Sequence, residues 1–314
     1  VQAGGIDPNI LFLVVCGLPL ALMAAFSLMG GWAFRRIGRP LSEVMAAADA
    51  VADGDLDVRV RENLPGEFNQ LARSFNHMTS ELQRAERQRR NLTADVAHEL
   101  RNPLHIIQGN LEGVLDGVYE ADPDHIGATL EETRHMARLV ADLQTLSLAE
   151  AGQLPLHPVD LLVDDLLADV ETSFSAAAQA DGISILKEVE LSPVIHADPA
   201  RLYQVLSNLV ANALRYTPSG GTIGLKARSV GSRVLIVVED TGVGIAPEDL
   251  PYVFDRFWRG DRARTRMKGG GGSGLGLAIA RQLIRAHGGE ITVESQVGAG
   301  TRFKITLPQH AALV

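Results

Sequence analysis

From Ile10 to Phe34 the chain carries no charged side chain. As an α-helix rising 1.5 Å per residue, this stretch spans roughly 37 Å, enough to cross the hydrocarbon core of a bilayer. Trp32 lies near its end, where interfacial aromatics are favoured, and Arg35, Arg36 and Arg39 follow at once. The positive-inside rule then puts the bulk of the chain in the cytoplasm and the N-terminus outside. A signal peptide fits poorly, because no basic segment precedes the run and the run is too long. A buried helix of a soluble core is the other alternative, disfavoured by length and flanks. The expectation is a single transmembrane helix over 10–34 in a cell inner or plasma membrane. Residues 1–9, which begin with Val1 rather than Met, read as the extracytoplasmic remnant of a larger parent.

The chain's 314 residues exceed one ordinary domain, so several modules are expected. A net charge of −9 argues against nucleic acid as a partner, since phosphate binding favours a basic surface. Cys16 is the only cysteine and lies in the apolar run, which excludes an intrachain disulfide and a thiolate zinc site.

After Pro40, the residues Leu41, Val44, Ala48 and Val51 recur at spacings of three and four. A turn-rich stretch, Asp53 to Asp57, interrupts them. Phe68, Leu71, Phe75, Met78 and Leu82 then repeat the pattern. Both are heptad-like seams suited to a parallel helical bundle. Two short helices cannot bury two such seams alone, so a homodimer is predicted. With Pro40 behind a membrane helix, the connector "GDLDVRV" and Glu67 opening the second helix, residues 35–86 resemble a HAMP linker. No Gly or Pro interrupts the charged stretch from Ser80 to Asn91, so the helix is expected to run on.

The next segment reads "DVAHELRNPL". At 100° per residue, Val96 and Leu100 lie about 200° from His98, and Ile107 about 180°. Asn102 lies about 40° from it, so His98 shares a polar face. A lone helical histidine is usually a surface or packed residue, and no second ligand pattern suggests a metal here. Pro103 cannot donate to the carbonyl of Glu99, which should bend or loosen the helix beside His98. The Glu99 carboxylate can take a proton from one ring nitrogen and leave the other nucleophilic. Asn102 could orient a water for the reverse, hydrolytic reaction.

His98, Glu99, Asn102 and Pro103 match the H-E-x-x-N-P pattern, and residues 87–152 resemble the dimerisation and phospho-acceptor domain of sensor histidine kinases. A second helix follows, with Asp122 as cap, Pro123 in its first turn and an apolar side of Ile126, Leu130, Met136, Leu139, Leu143 and Leu146. The resemblance implies that two such hairpins form a dimeric four-helix bundle.

Beyond Gly152 the pattern becomes α/β. Strands are expected at Ile183–Val189, Thr222–Ala227, Val234–Glu239, Glu290–Ser295 and Thr301–Leu307, and helices at Leu161–Ala180, Pro199–Tyr216 and Gly276–His287. The helix after Asp198 carries Gln204, Asn208, Asn212 and Arg215 as a polar stripe. Amide oxygens can ligate Mg²⁺ and arginine can meet phosphate. "EDTGVGI" follows a strand, and Gly242 and Gly244 would let a ligand approach Asp240 closely. "FDRFWRG" then places Phe254 and Phe257 as a short apolar staple. A basic loop with Arg259, Arg262, Arg264, Arg266 and Lys268 leads through Gly269–Gly272 to "GSGLGLAIA", a Gly-rich entry into a helix suited to phosphate. No lysine follows as in a Walker A loop, and no first βαβ unit supports a Rossmann reading.

N-x-x-x-N, D-x-G-x-G, F-x-x-F and G-x-G-x-G occur in that order between Asn208 and Leu277. Residues 153–314 thus resemble the Bergerat-type ATP-binding domain of histidine kinases, related to gyrase and Hsp90 ATPases. The expected fold is multi-domain: a transmembrane helix, all-α HAMP and four-helix-bundle modules, then an α/β sandwich. The resemblance implies ATP and Mg²⁺ as cofactors. It implies that Asp240 reads the adenine amino group and Asn212 holds Mg²⁺, with Asn208 supporting the polyphosphate. Arg215 and Tyr216 would line phosphates and adenine. Gly272, Gly274, Leu275, Gly276 and Leu277 would close over the phosphates. It further implies autophosphorylation of His98, with Glu99 as general base, and transfer to an aspartate of a cognate response regulator receiver domain. Asn102 would then serve a phosphatase. A clamp-type ATPase and a non-enzymatic membrane scaffold are the rival readings; the first has no need of His98, the second none of the nucleotide boxes.

Overall fold

The computed structural model describes residues 17–63, 66–191, 193–258 and 273–309. The expected remnant 1–9, the start of the apolar run from Ile10 to Cys16, Gly272 and the basic residues of the loop before it lie outside the described residues. The chain divides into two compact units, Val1–Ala94 and Asp95–Val314.

In the first unit, helix α1 (Leu18–Ala33) passes through a π-helical turn, Phe34–Gly38, into helix α2 (Arg39–Ala52). Within the helical span Leu18–Ala52, an 18-residue window of mean hydropathy 1.3 is long and apolar enough to cross a membrane, and none of that window is buried within the chain. At its polar end the Arg36 guanidinium lies 4.8 Å from the Trp32 ring centroid. Helix α3 (Glu67–Leu115) follows the connector and crosses the boundary between the units without interruption, as the charged stretch predicted. Ala47, Val60, Ala72 and Phe75 form a small buried cluster, with Val44, Val51 and Val58 packed against it. Asn76 fastens the connector to α3: its Oδ1 accepts from the Val60 N–H at 2.9 Å and its Nδ2 donates to the Val60 carbonyl at 2.8 Å. The second seam therefore divides. Phe75 turns inward with Ala72, whereas Leu71, Met78 and Leu82 stay exposed in the single chain.

The second unit opens with the rest of α3 and helix α4 (Pro123–Glu150). The Asp122 side chain caps α4 by accepting the His125 N–H at 2.7 Å. Asn110 Nδ2 donates to Thr129 Oγ1 at 3.2 Å, pinning the two helices near their shared end. The α/β part then runs β1 (Val159–Leu162), α5 (Val163–Ala180), β2 (Ser184–Val189), β3 (Val194–Ala197) and α6 (Pro199–Tyr216). β4 (Thr222–Val230), β5 (Arg233–Asp240), α7 (Gly276–Ala286), β6 (Glu290–Gln296) and β7 (Gly300–Pro308) complete it.

Five strands form a mixed sheet in the order β2-β4-β5-β7-β6, parallel only between β2 and β4. β1 and β3 form a separate antiparallel pair, which the helix expected from Leu161 missed. Leu161 and Leu162 pair with Ile195 and Val194, so α5 starts two residues later than periodicity alone suggests. Alternation along β5 buries Val234, Ile236 and Val238 against the helices. The opposite face carries charge, with Glu239 bridging Lys226 and Arg302, each at 2.8 Å. The helical layer contributes Leu202, Leu206 and Leu209 from α6 and Ile279 and Leu283 from α7, all nearly inaccessible. Leu139 and Leu146 of α4 join this same core, and α4 packs on α7.

Candidate nucleotide and phospho-acceptor site

Asp240 ends β5, where the chain leaves the sheet. Its Oδ1 accepts the N–H of Gly242 at 2.8 Å and of Thr301 at 3.2 Å. Burial pushes its carboxyl above the usual carboxylate range, and these two amides only partly oppose that shift. The amides hold the carboxylate in one orientation by a single oxygen, leaving the other for a ligand donor.

The glycines around Asp240 are there for close approach. A Cβ on Gly242 would lie 2.5 Å from the carbonyl oxygen of Tyr216 and 2.7 Å from Asp240 Oδ1. Gly244, at φ +70°, would place one 2.1 Å from the Gln296 carbonyl oxygen. The Val243 N–H donates to that same Tyr216 carbonyl at 3.1 Å, so the end of α6 and the turn after β5 are stitched together. Asn212 and Tyr216 are half-buried on α6, and Arg215 is exposed one turn beyond Asn212.

Asn208 meets the second glycine box directly. Its Nδ2 donates to the Gly276 carbonyl at 3.0 Å, and a Cβ on Gly276 would come within 3.3 Å of its Cγ. Leu275 is fully buried beneath and Leu277 half-buried, so this turn is fixed by its apolar residues while its glycines stay close to α6. Asn208, Asn212, Tyr216, Asp240, Gly242, Gly244, Gly274, Leu275, Gly276 and Leu277 thus fall in one region, where the sheet end, α6 and the start of α7 converge. Added Cβ atoms on Gly242, Gly244 and Gly274 would strike protein backbone, so these glycines let the chain close up around Asp240; its carboxylate and the Asn208 and Asn212 amides are polar groups of the kind a purine nucleotide would take. Among the described residues no group of three or more His, Cys, Asp and Glu could hold a metal, and the Asn212 amide oxygen is of a type that could contribute to Mg²⁺.

Sequence reasoning passed over Gly300 and Thr301. Gly300, at φ +95°, puts its Cα so near the Asp240 carbonyl oxygen that a Cβ would sit 1.8 Å away. That approach delivers the Thr301 amide to Asp240. The signal was the Gly-x-Gly-Thr run before β7, which reads as an ordinary strand start until β5 and β7 are seen paired.

His98 lies on α3, exposed, with Asn102 exposed one turn on. Glu99 is half-buried. Leu100 packs on the core of the second unit and Pro103 is buried, so the apolar side does face away from His98. The helix continues through Pro103 to Leu115. Farther along the hairpin, the end of α4 is tied to the α/β part: Glu150 accepts from Arg256 Nε at 2.9 Å.

Three family models match in the expected order. The HAMP domain covers residues 32–84, the His Kinase A (phospho-acceptor) domain 88–152, and the histidine kinase-, DNA gyrase B-, and HSP90-like ATPase 197–311. The chain belongs to the sensor histidine kinases of two-component systems. It is 38% identical over 272 residues to sensor histidine kinase CusS of Escherichia coli K12, covering 86% of this chain and 56% of CusS. The solved structure of Acinetobacter baumannii histidine kinase AdeS is similar with a TM-score of 0.59 at 30% identity, over 68% of this chain and 98% of AdeS. That of histidine kinase ThkA in complex with response regulator protein TrrA matches with a TM-score of 0.56 at 26% identity, over 74% of this chain and 66% of that one. The chain spans little more than half the length of the curated relatives it matches.

Proposed function

We propose that this chain is an ATP-dependent protein-histidine kinase that phosphorylates His98 and passes the phosphoryl group to an aspartate of a response regulator. The observation that carries the reading is the pairing, within one compact unit, of an exposed helical histidine with the cradle built by Asp240, Asn208 and the two glycine boxes. Asp240 accepts the adenine amino group on the oxygen its amides leave open. Asn208 and Gly274–Leu277 hold the phosphates, and Arg215 and Tyr216 line their approach. Asn212 holds Mg²⁺, which when bound neutralises charge on the phosphate oxygens.

A ring nitrogen of His98 attacks the γ-phosphorus. The bond from that phosphorus to the bridging oxygen breaks, ADP departs with the electron pair, and the proton on the other ring nitrogen passes to Glu99. Most of the acceleration comes from positioning and charge stabilisation. Asn102, one turn from His98, orients a water for the phosphatase reaction on the regulator.

The exposed apolar residues of α3 and α4 support a homodimer in which two hairpins make a four-helix bundle. The uncovered apolar helix Leu18–Ala33, followed by Arg35, Arg36 and Arg39, supports anchoring in an inner or plasma membrane with the kinase part cytoplasmic. ThkA, whose structure was solved with a response regulator, supports a receiver domain as partner. The test is incubation of the purified full chain with γ-labelled ATP. An acid-labile label is expected, and His98→Gln is expected to abolish it; normal labelling of that variant would sink the assignment.

A further inference from the structure

Phe257 has φ +58°, in the left-handed region that a bulky side chain rarely enters. Its backbone neighbour is a residue seventeen positions on: the Phe257 N–H donates to the Gly274 carbonyl at 3.0 Å. A Cβ on Gly274, at φ +73°, would lie 2.8 Å from both the Cα and the carbonyl carbon of Phe257. The two backbones therefore touch, one on each side of the segment that lies outside the described residues. From Gly274 the path leads on through Leu275, whose N–H donates to Ser273 Oγ at 3.3 Å, to Gly276 and its bond with Asn208.

The surroundings hold Phe257 where it is. Its ring packs half-buried on the core. The Arg281 guanidinium sits 5.4 Å from the Phe254 ring centroid, and Arg256 is paired with Glu150. A sparsely populated backbone conformation persists only when packing over-determines it in this way, and such residues gather at working sites.

We propose that Phe257 is a positioning residue whose left-handed backbone sets where Gly274–Gly276 stand against Asn208, and so shapes the phosphate end of the nucleotide site. This rests on the nucleotide reading given above. With the preceding chain held by packing, a residue at negative φ swings its carbonyl group, which lies against Gly274, to a different position and releases the glycine box from its register. Affinity then drops in proportion to the fraction of molecules still competent. The ring matters as the weight that keeps φ positive; glycine reaches the same φ without it.

Those two roles predict opposite orders. Mg-ADP is titrated calorimetrically into the full chain in detergent micelles, as wild type and as Phe257→Gly, Phe257→Ala and Phe257→Val. Backbone control predicts that the glycine variant binds within about threefold of wild type, the alanine variant about tenfold weaker, and β-branched valine weaker still. A ring-packing role predicts glycine as the weakest, and that order, or a valine variant equal to wild type, overturns the proposal. Should valine prevent folding, the alanine and glycine pair carries the same order. Asp240→Asn serves as the control for the site itself. If wild type does not bind Mg-ADP, the nucleotide reading falls and the proposal with it. If wild type binds, Asp240→Asn does not, and glycine is the weakest of the series, only the role of Phe257 falls.

Discussion

The α/β part and the α3–α4 hairpin answer the same problem, burial of apolar surface, in different ways. The sheet and its helices close on themselves: Leu209, Ile223, Leu225, Ile279 and Leu283 are fully buried. The hairpin leaves Leu104, Ile106, Leu111, Leu115, Ile126, Leu130 and Val140 exposed. Leu139 and Leu146 on α4 are buried in the core of the α/β part, with Leu100 and Leu143 packed against it. The described residues of the proposed nucleotide site all come from one copy, whereas the remaining apolar side of the hairpin is of the kind a second copy would cover.

That contrast can be broken most sharply at the hairpin. Ile106→Asp combined with Leu111→Asp puts two charges where a dimer would bury apolar surface. Each is expected to cost several kcal/mol of association. Analytical ultracentrifugation should show monomers at micromolar concentration, with Mg-ADP affinity unchanged. A dimer of undiminished stability would mean that this face is covered in some other way.

The cradle is tested at Asp240. Asp240→Asn replaces the proposed adenine acceptor and is expected to weaken nucleotide binding roughly 10- to 100-fold, the range for a lost hydrogen bond to a charged group. Its stability effect should have the opposite sign. Because burial raises the carboxyl in the folded state, the native protein holds that proton more tightly than the unfolded chain does. Stability from this group is therefore present at low pH and lost as pH rises from the ordinary carboxylate value of 3.8 through the raised one. At neutral pH the charge is a burden, and Asp240→Asn should melt slightly higher without nucleotide. The same shift means that wild-type nucleotide affinity should fall, on acidification, at a higher pH than an unperturbed aspartate would dictate. Titrating Mg-ADP between pH 4 and pH 7 reads this directly, and a flat profile would remove Asp240 from adenine recognition.

The smallest effect is expected where the two regions meet. Glu150→Gln removes the charge that pairs with Arg256 at the end of α4. The pair is only partly buried, so a loss on the order of 1 kcal/mol is expected, seen as a melting shift of a few degrees or less. Hydrogen exchange should then rise around Leu139, Leu146 and α7 while the sheet stays protected.

Much of the site was legible in the sequence because its chemistry is local. His98, Glu99, Asn102 and Pro103 sit within a turn and a half of one helix, and a 3.6-residue period suffices to place His98 opposite Val96 and Leu100. Asp240 with Gly242, and Asn208 with Asn212, are likewise short-range patterns. The β1–β3 pair was not legible: Leu161 and Leu162 continue the helical periodicity of α5, and only pairing with Val194 and Ile195 makes them strand. Nor was the division of the HAMP seam, since whether Phe75 or Met78 turns inward depends on where α2 and the connector pack.

By itself the sequence determined the order of the modules, the membrane-length apolar run, the face on which His98 stands and the residue types of the nucleotide boxes. These follow from periodicity, charge and backbone freedom, which act over a few residues. The tertiary structure alone decided that Thr301 orients Asp240, that Asn208 bonds the carbonyl of Gly276, and that Phe257 is held left-handed against Gly274. Each of these joins positions from 17 to 68 residues apart. No local rule reaches that far; the pairing of β5 with β7 and the packing of α6 on α7 do.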